Sequence, residues 1–171
     1  MIKKLLIAIV VIVILLVTAF FGAGLAVPAV EYTTTVEINK PRDVTWQVMR
    51  ERKDWIYGFK SYEQLAGTPN EPGSKARVTV VRDGRETVMD TELIAIDPPQ
   101  SATTRFTNDM LTHSATVHLS ESGGKTTVVS DEKLEGKNAI WRSIFAIFKG
   151  QIVETSQKNF AGLKQAVEST P

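Results

Sequence analysis

Cysteine is absent from this chain, and histidine occurs only at His113 and His118. Without thiols there is no signal of redox compartment and no thiolate to hold a metal. The two histidines are five apart on an expected strand. An odd separation places them on opposite faces, so they do not form a strand-borne metal pair. No metal site and no cofactor is expected. The sequence also lacks a G-x-S-x-G elbow, a glycine-rich phosphate loop and an HExxH helix. Lys and Arg number 20 against 19 acidic residues, and the charge runs are short and mixed, as in Arg50-Glu51-Arg52-Lys53-Asp54. A nucleic-acid partner requires basic residues clustered on one face, and none is visible. There is no internal repeat and no low-complexity tract.

What the chain does have is a long apolar start. Lys3 and Lys4 precede an uncharged run from Leu5 to Val30. A helix over Leu5 to Val27 would be about 35 Å long, enough to cross a hydrocarbon core of ~30 Å. A cleavable secretory signal shares the basic start, and Gly22, Ala23, Gly24 and Ala26 supply small residues. Its apolar core is usually shorter than Leu5 to Phe21, so length favours an uncleaved anchor over residues 1–30. Lysines before the span place the N-terminus in the cytoplasm. The remainder is then expected on the periplasmic or extracellular side, a single-pass arrangement with the membrane as a partner.

About 140 residues follow, the size of one domain. Glu31 to Ile38 suits a strand, and Pro41 opens a helix carrying Val44, Val48 and Met49 at helical spacing. Ser61 to Ala66 reads as a short strand. Lys75 to Arg82 alternates, with Ala76, Val78 and Val80 on one face; Asp83-Gly84 turns it into a strand from Glu86 to Ile96. The inward set of that strand is read as Thr87, Met89, Thr91 and Leu93, with a bulge near Ile94 to Ile96. Ala102 to Thr107, His113 to Ser120 and Thr126 to Leu134 complete the strands, the last two joined by Gly123-Gly124. One long helix is expected from Lys137 or Asn138 to about Ser169. This order predicts an α+β fold, a curved antiparallel sheet with the C-terminal helix across its concave face. The gap between sheet and helix is a natural apolar cavity.

The stretch from Val36 to Val81 resembles the opening of the START-like superfamily, also called the polyketide cyclase/dehydrase and lipid transport, or Bet v 1-like, group. The residues that carry it are Ile38 ending a strand, Pro41, Val44 and Trp46 in the helix, Trp55 after it, Gly67, and the Pro72-Gly73 turn. The helix after Gly136 fits as well, so the resemblance spans Tyr32 to Val167. It implies a helix-grip fold with a hydrophobic cavity in residues 31–171, and members that bind lipids, sterols, polyketides or hormones or act as cyclases.

Phe145, Phe148, Ile152, Met89, Leu93, Val117 and Trp55 are expected to line the cavity. Arg105, if inward, would have to pair, and would anchor an acidic head group. One of the adjacent pair Asp131 and Glu132 must point inward, and Asp131 is taken as the polar group. Tyr57 and Tyr62 could donate hydrogen bonds at the mouth. The expected function is membrane-tethered binding of a lipid or other hydrophobic molecule. Two other readings stand beside it. One is an enzyme of cyclase or dehydratase type using Asp131, Tyr57 or Arg105, which needs two titratable groups converging in the cavity; strand parity argues against that. The other is an interaction module docking a membrane partner through the sheet or Ile140–Phe148.

Overall fold

The computed structural model describes residues 2–170, so the outermost residues of both expected segments, 1 and 171, lie outside it. Helix α1 runs from Ile2 to Ala26, followed by β1 (Ala29–Ile38), α2 (Arg42–Glu51) and β2 (Phe59–Ala66). An antiparallel meander follows: β3 (Lys75–Arg82), β4 (Arg85–Asp97), β5 (Ser101–Thr107), β6 (Leu111–Ser122) and β7 (Lys125–Gly136). Helices α3 (Ala139–Ile147) and α4 (Lys149–Glu168) end the chain.

All seven strands form one sheet in the order β1-β7-β6-β5-β4-β3-β2. Because β1 and β2 occupy opposite edges, the chain must cross the sheet between them, and α2 makes part of that crossing. Pro41 caps α2, whose buried residues Thr45, Val48 and Met49 follow helical spacing. Asp83 and Gly84 both adopt positive φ, as the tight β3–β4 hairpin requires. The register of β4 against β5 shifts between Leu93 and Ala95, which is the expected bulge. Helix α4 lies across the sheet and buries Phe160, Leu163 and Val167 against Ile38, Val48, Leu119 and Val128. At Gly162 a Cβ would come within 2.4 Å of the Trp55 carbonyl oxygen, so only glycine lets the helix approach the segment after α2.

The expected single C-terminal helix is two. Phe148 leaves helical geometry at φ −97° and ψ 22°, and α3 ends there. Gly150 lies two residues beyond the break and has open space where a Cβ would point, so no close backbone approach requires a glycine there. Helix α3 packs against the last turn of α1. A Cβ on Gly24 would lie 2.4 Å from Ser143 Oγ and 2.9 Å from the Ala139 carbonyl oxygen. The rest of α1 stands clear of the domain, its apolar side chains exposed. Its 25 residues are long and apolar enough to cross a membrane.

Candidate functional site: a cavity with a buried polar end

Sheet and α4 do not close on one another. Between them lies a cavity of about 540 Å³, within the range of ~300–1,000 Å³ typical of small-molecule sites. Its volume has a simple origin in the sequence. Ala76 on β3, Ala102 on β5 and Ala115 on β6 all line it, and a methyl group at each leaves space that a larger side chain would fill. Leu93, Val78 and Phe106 add apolar wall from the sheet, while Trp55 and Phe160 face them from the other side.

One end of the cavity is cationic. Arg50 and Glu51, at the C-terminal end of α2, and Lys53, just beyond it, line it together with Tyr62, with the two cations in excess. Arg50 donates through Nε and Nη2 to Asn70 Oδ1 at 3.1 and 2.9 Å. The Lys53 ammonium donates to the Arg50 carbonyl and sits 5.6 Å from the centre of the Tyr62 ring. Burial, with the neighbouring Arg50 charge second, pushes Lys53 down to about 8.

Deeper polar groups lie on β1, β6, β7 and α4. Along β7 the inward residues are Thr126, Val128, Ser130, Glu132 and Leu134, all buried. Tyr32 and Ala115 flank Glu132 directly on the neighbouring strands. The small Ala115 leaves room for His113, which reaches Glu132 diagonally. Tyr32 Oη donates to Glu132 Oε2 at 2.8 Å, and His113 Nε2 lies 3.0 Å from the same oxygen. Ser156 of α4 donates to Glu132 Oε1 and lies 2.9 Å from Thr34 Oγ1. A carboxylate can only accept, so Ser156 spends its proton on Glu132 and Thr34 donates to Ser156. His113 stacks on Phe106, its partner on β5, with ring centres 5.4 Å apart.

Burial alone would raise the Glu132 carboxyl. The hydrogen bonds from His113, Ser156 and Tyr32 outweigh it, and the group is held below the usual carboxylate value. Burial first, and Glu132 second, push the Tyr32 phenol well above its ordinary value. The glutamate is thus ionised and multiply bonded, with His113, Glu132 and Ser156 all reaching the cavity.

Of the expected lining residues, Trp55, Leu93 and Val117 face the cavity. Met89 shares the parity of Leu93 but lies nearer the β3–β4 hairpin, outside the lining. Phe145, Phe148 and Ile152 are not at the cavity. They belong to α3, which packs on α1, and to the break after it: Phe145 stacks on Trp141 at 5.8 Å and Phe148 stays 50% exposed, while Ile152 lies in the first turn of α4. On α4 the cavity begins only at Ser156, one turn past Ile152. Arg105 points outward to Glu92, 3.6 Å away. Asp131 points to the opposite face from Glu132 and accepts from Thr33 Oγ1 at 2.7 Å. Tyr57 lies outside the cavity, its ring flanked by Arg82 and Lys158.

The expectation that no two titratable groups converge inside is corrected by His113 and Glu132. Strand parity relates positions within one strand, whereas this pair forms across two. The signal for Glu132 was present in KTTVVSDEKLEG. Asp131 alternates with Lys133 and Glu135, and Glu132 with Val128 and Leu134, so Glu132 belongs to the apolar face. Among the described residues, no cluster of three His or acidic side chains could hold a metal.

Neither a protein-family model nor a curated protein matches the chain. Solved structures do. The Zhui aromatase/cyclase from Streptomyces sp. R1128 aligns with a TM-score of 0.69 at 14% identity, covering 82% of this chain and 94% of that one. Ara h 8.0201 aligns at 0.65 and 16% identity, covering 83% and 99%. Major latex-like protein 151 from Panax ginseng aligns at 0.63 and 14%, covering 83% and 97%. At such identities the likeness establishes the fold, which is the Bet v 1-like helix grip.

Proposed function

We propose that this chain uses its Bet v 1-like fold to hold a lipid or other hydrophobic small molecule beside a membrane. In this reading α1 is a single-pass anchor with its N-terminus, Lys3 and Lys4 in the cytoplasm. Residues 31–171 form the binding domain on the far side. The observation that carries the reading is the cavity of about 540 Å³ between sheet and α4, apolar along its walls. Apolar ligand surface removed from water contributes roughly 25 cal/mol per Å², so burial supplies the affinity and the polar ends select the ligand.

The test is native mass spectrometry of the full chain released from membranes, beside Ala76→Phe, which fills the cavity. Wild type should carry a reproducible apolar species that the variant lacks. A folded wild type with nothing bound, or equal loading of the variant, would overturn the reading.

The convergence of His113 and Glu132 favours a second reading, a cyclase- or dehydratase-like enzyme. It predicts that the species recovered from wild type differs from that recovered from Glu132→Gln, by the mass of water for a dehydration and in chromatographic retention for a cyclisation at constant mass. Identical species from the two would leave binding as the function.

A further inference from the structure

The hydrogen bonds around Glu132 fix more than the state of that residue. Its Oε2 receives the Tyr32 hydroxyl at 2.8 Å and faces His113 Nε2 at 3.0 Å. Oε1 receives the Ser156 hydroxyl, itself supplied by Thr34. An ionised carboxylate offers only lone pairs, so the ring proton of His113 must sit on Nε2. In the neutral imidazole the other nitrogen, Nδ1, is then a bare acceptor. Nδ1 has no protein partner among the described residues and is not a sealed, unsatisfied atom. His113 lines the cavity, and the Phe106 stack holds its ring in place.

The cavity therefore contains an acceptor that a wholly apolar ligand would strip of water without replacement. That loss makes such a ligand a poor match. A long-chain carboxylate is poorly matched at the same place, because its own lone pairs would meet Nδ1 with the buried Glu132 charge behind it.

We propose that the ligand is an amphiphile bearing a hydroxyl group, and that the hydroxyl donates to His113 Nδ1 while the apolar body fills the cavity between Leu93, Val117 and Phe160. This rests on the hydrophobic-binding reading above and names the chemistry that the cavity selects. Tyr32, Glu132, Ser156 and Thr34 are positioning residues. They set the tautomer of His113 and do not touch the ligand hydroxyl.

The experiment uses two isomers of one formula, 1-decanol and methyl nonyl ether. They bury similar surface, but only the alcohol can donate. Binding to the full chain in lipid nanodiscs is measured with empty nanodiscs subtracted, and the His113 ring nitrogens are followed by NMR. Wild type should bind the alcohol about tenfold more tightly than the ether. The alcohol, and not the ether, should shift the Nδ1 resonance. In His113→Phe the two isomers should bind alike, at the affinity of the ether for wild type. In Glu132→Gln the side-chain amide can donate to Nε2, which moves the ring proton to Nδ1, and the preference for the alcohol should shrink.

Equal binding of both isomers to wild type would overturn the hydroxyl assignment and leave the apolar cavity standing. Failure of both isomers to bind would overturn the binding reading and the assignment together. If His113→Phe does not fold, the wild-type preference and the Nδ1 shift decide the matter. A ring proton found on Nδ1 in the unliganded protein would overturn the assignment on its own.

Discussion

Glu132 is buried with 6% of its side chain exposed, and it stays charged because three donors converge on it. The folded protein holds its pKa below the ordinary 4.5, so the unfolded chain takes up the proton more readily. The stabilisation from the charged form is fully present above about 4.5 and is lost as pH falls through the depressed native value. Replacing it with glutamine should make the unfolding free energy fall less steeply below pH 4.5, as read by urea titrations across that range. The wild-type and variant slopes should be the same above it. This residue was legible in the sequence by parity. Its partners were not, because no strand pattern says that His113 meets Glu132 diagonally or that Ser156 comes down from α4. Gly162 gives a second expectation at this scale. Alanine normally favours a helix by ~1 kcal/mol over glycine, but here its Cβ would meet the Trp55 carbonyl oxygen at 2.4 Å. Overpacking of this kind costs about 1–3 kcal/mol, so Gly162→Ala should lower thermal stability despite its better helix propensity. An unchanged or raised melting temperature would show that the Trp55 segment yields freely.

Elements were easier to read than their contacts. The hairpins at Asp83-Gly84 and Gly123-Gly124 announce themselves by residues that tolerate positive φ, and the alternation of Ala76, Val78 and Val80 fixes which face of β3 is buried. The C-terminal helix shows the limit of such reasoning. Trp141, Phe145 and Phe148 continue the helical spacing of Phe160 and Leu163, and periodicity alone cannot tell one gripped helix from two that bury their faces on different partners. The partner of α3 is α1, and its signal is Gly24, a small residue that reads equally well as the end of a span. The contact makes a prediction. Leucine at position 24 would strike Ser143 and Ala139 and force α1 off α3, while the sheet and α4 core lie elsewhere. Amide exchange should therefore rise across α3 in Gly24→Leu and stay unchanged in β6, β7 and the second half of α4. A uniform rise across the sheet would mean instead that the α1–α3 contact supports the whole domain.

At the scale of the molecule, the decisive relation is between the apolar N-terminal helix and the cavity. Strand β1 begins at Ala29, three residues after α1 ends. Tyr32, which bonds Glu132, lies three positions further on, about 10 Å at ~3.3 Å per residue. The polar end of the cavity is thus near the point where the chain would leave a bilayer. Helix α3 lies at the same end, packed on Gly24. Ile140 and Ile147 on it, and Phe148 at its end, are half exposed, beside Leu25, which is 76% exposed. Such a surface beside an apolar span matches the boundary between headgroups and acyl chains, where the ring of Trp141 would also be at home. The chain has three tryptophans, so each can be read alone after changing the other two to phenylalanine. In nanodiscs made with brominated lipid, Trp141 should be strongly quenched and Trp46, on α2, left bright. Trp55, at the cavity wall, should also stay bright while the cavity is free of brominated chains. Quenching of Trp55 together with Trp141 would mean that a lipid chain has entered the cavity, which the apolar walls invite. If Trp141 were as bright as Trp46, the domain would stand off the membrane, and a ligand would have to cross water to reach His113.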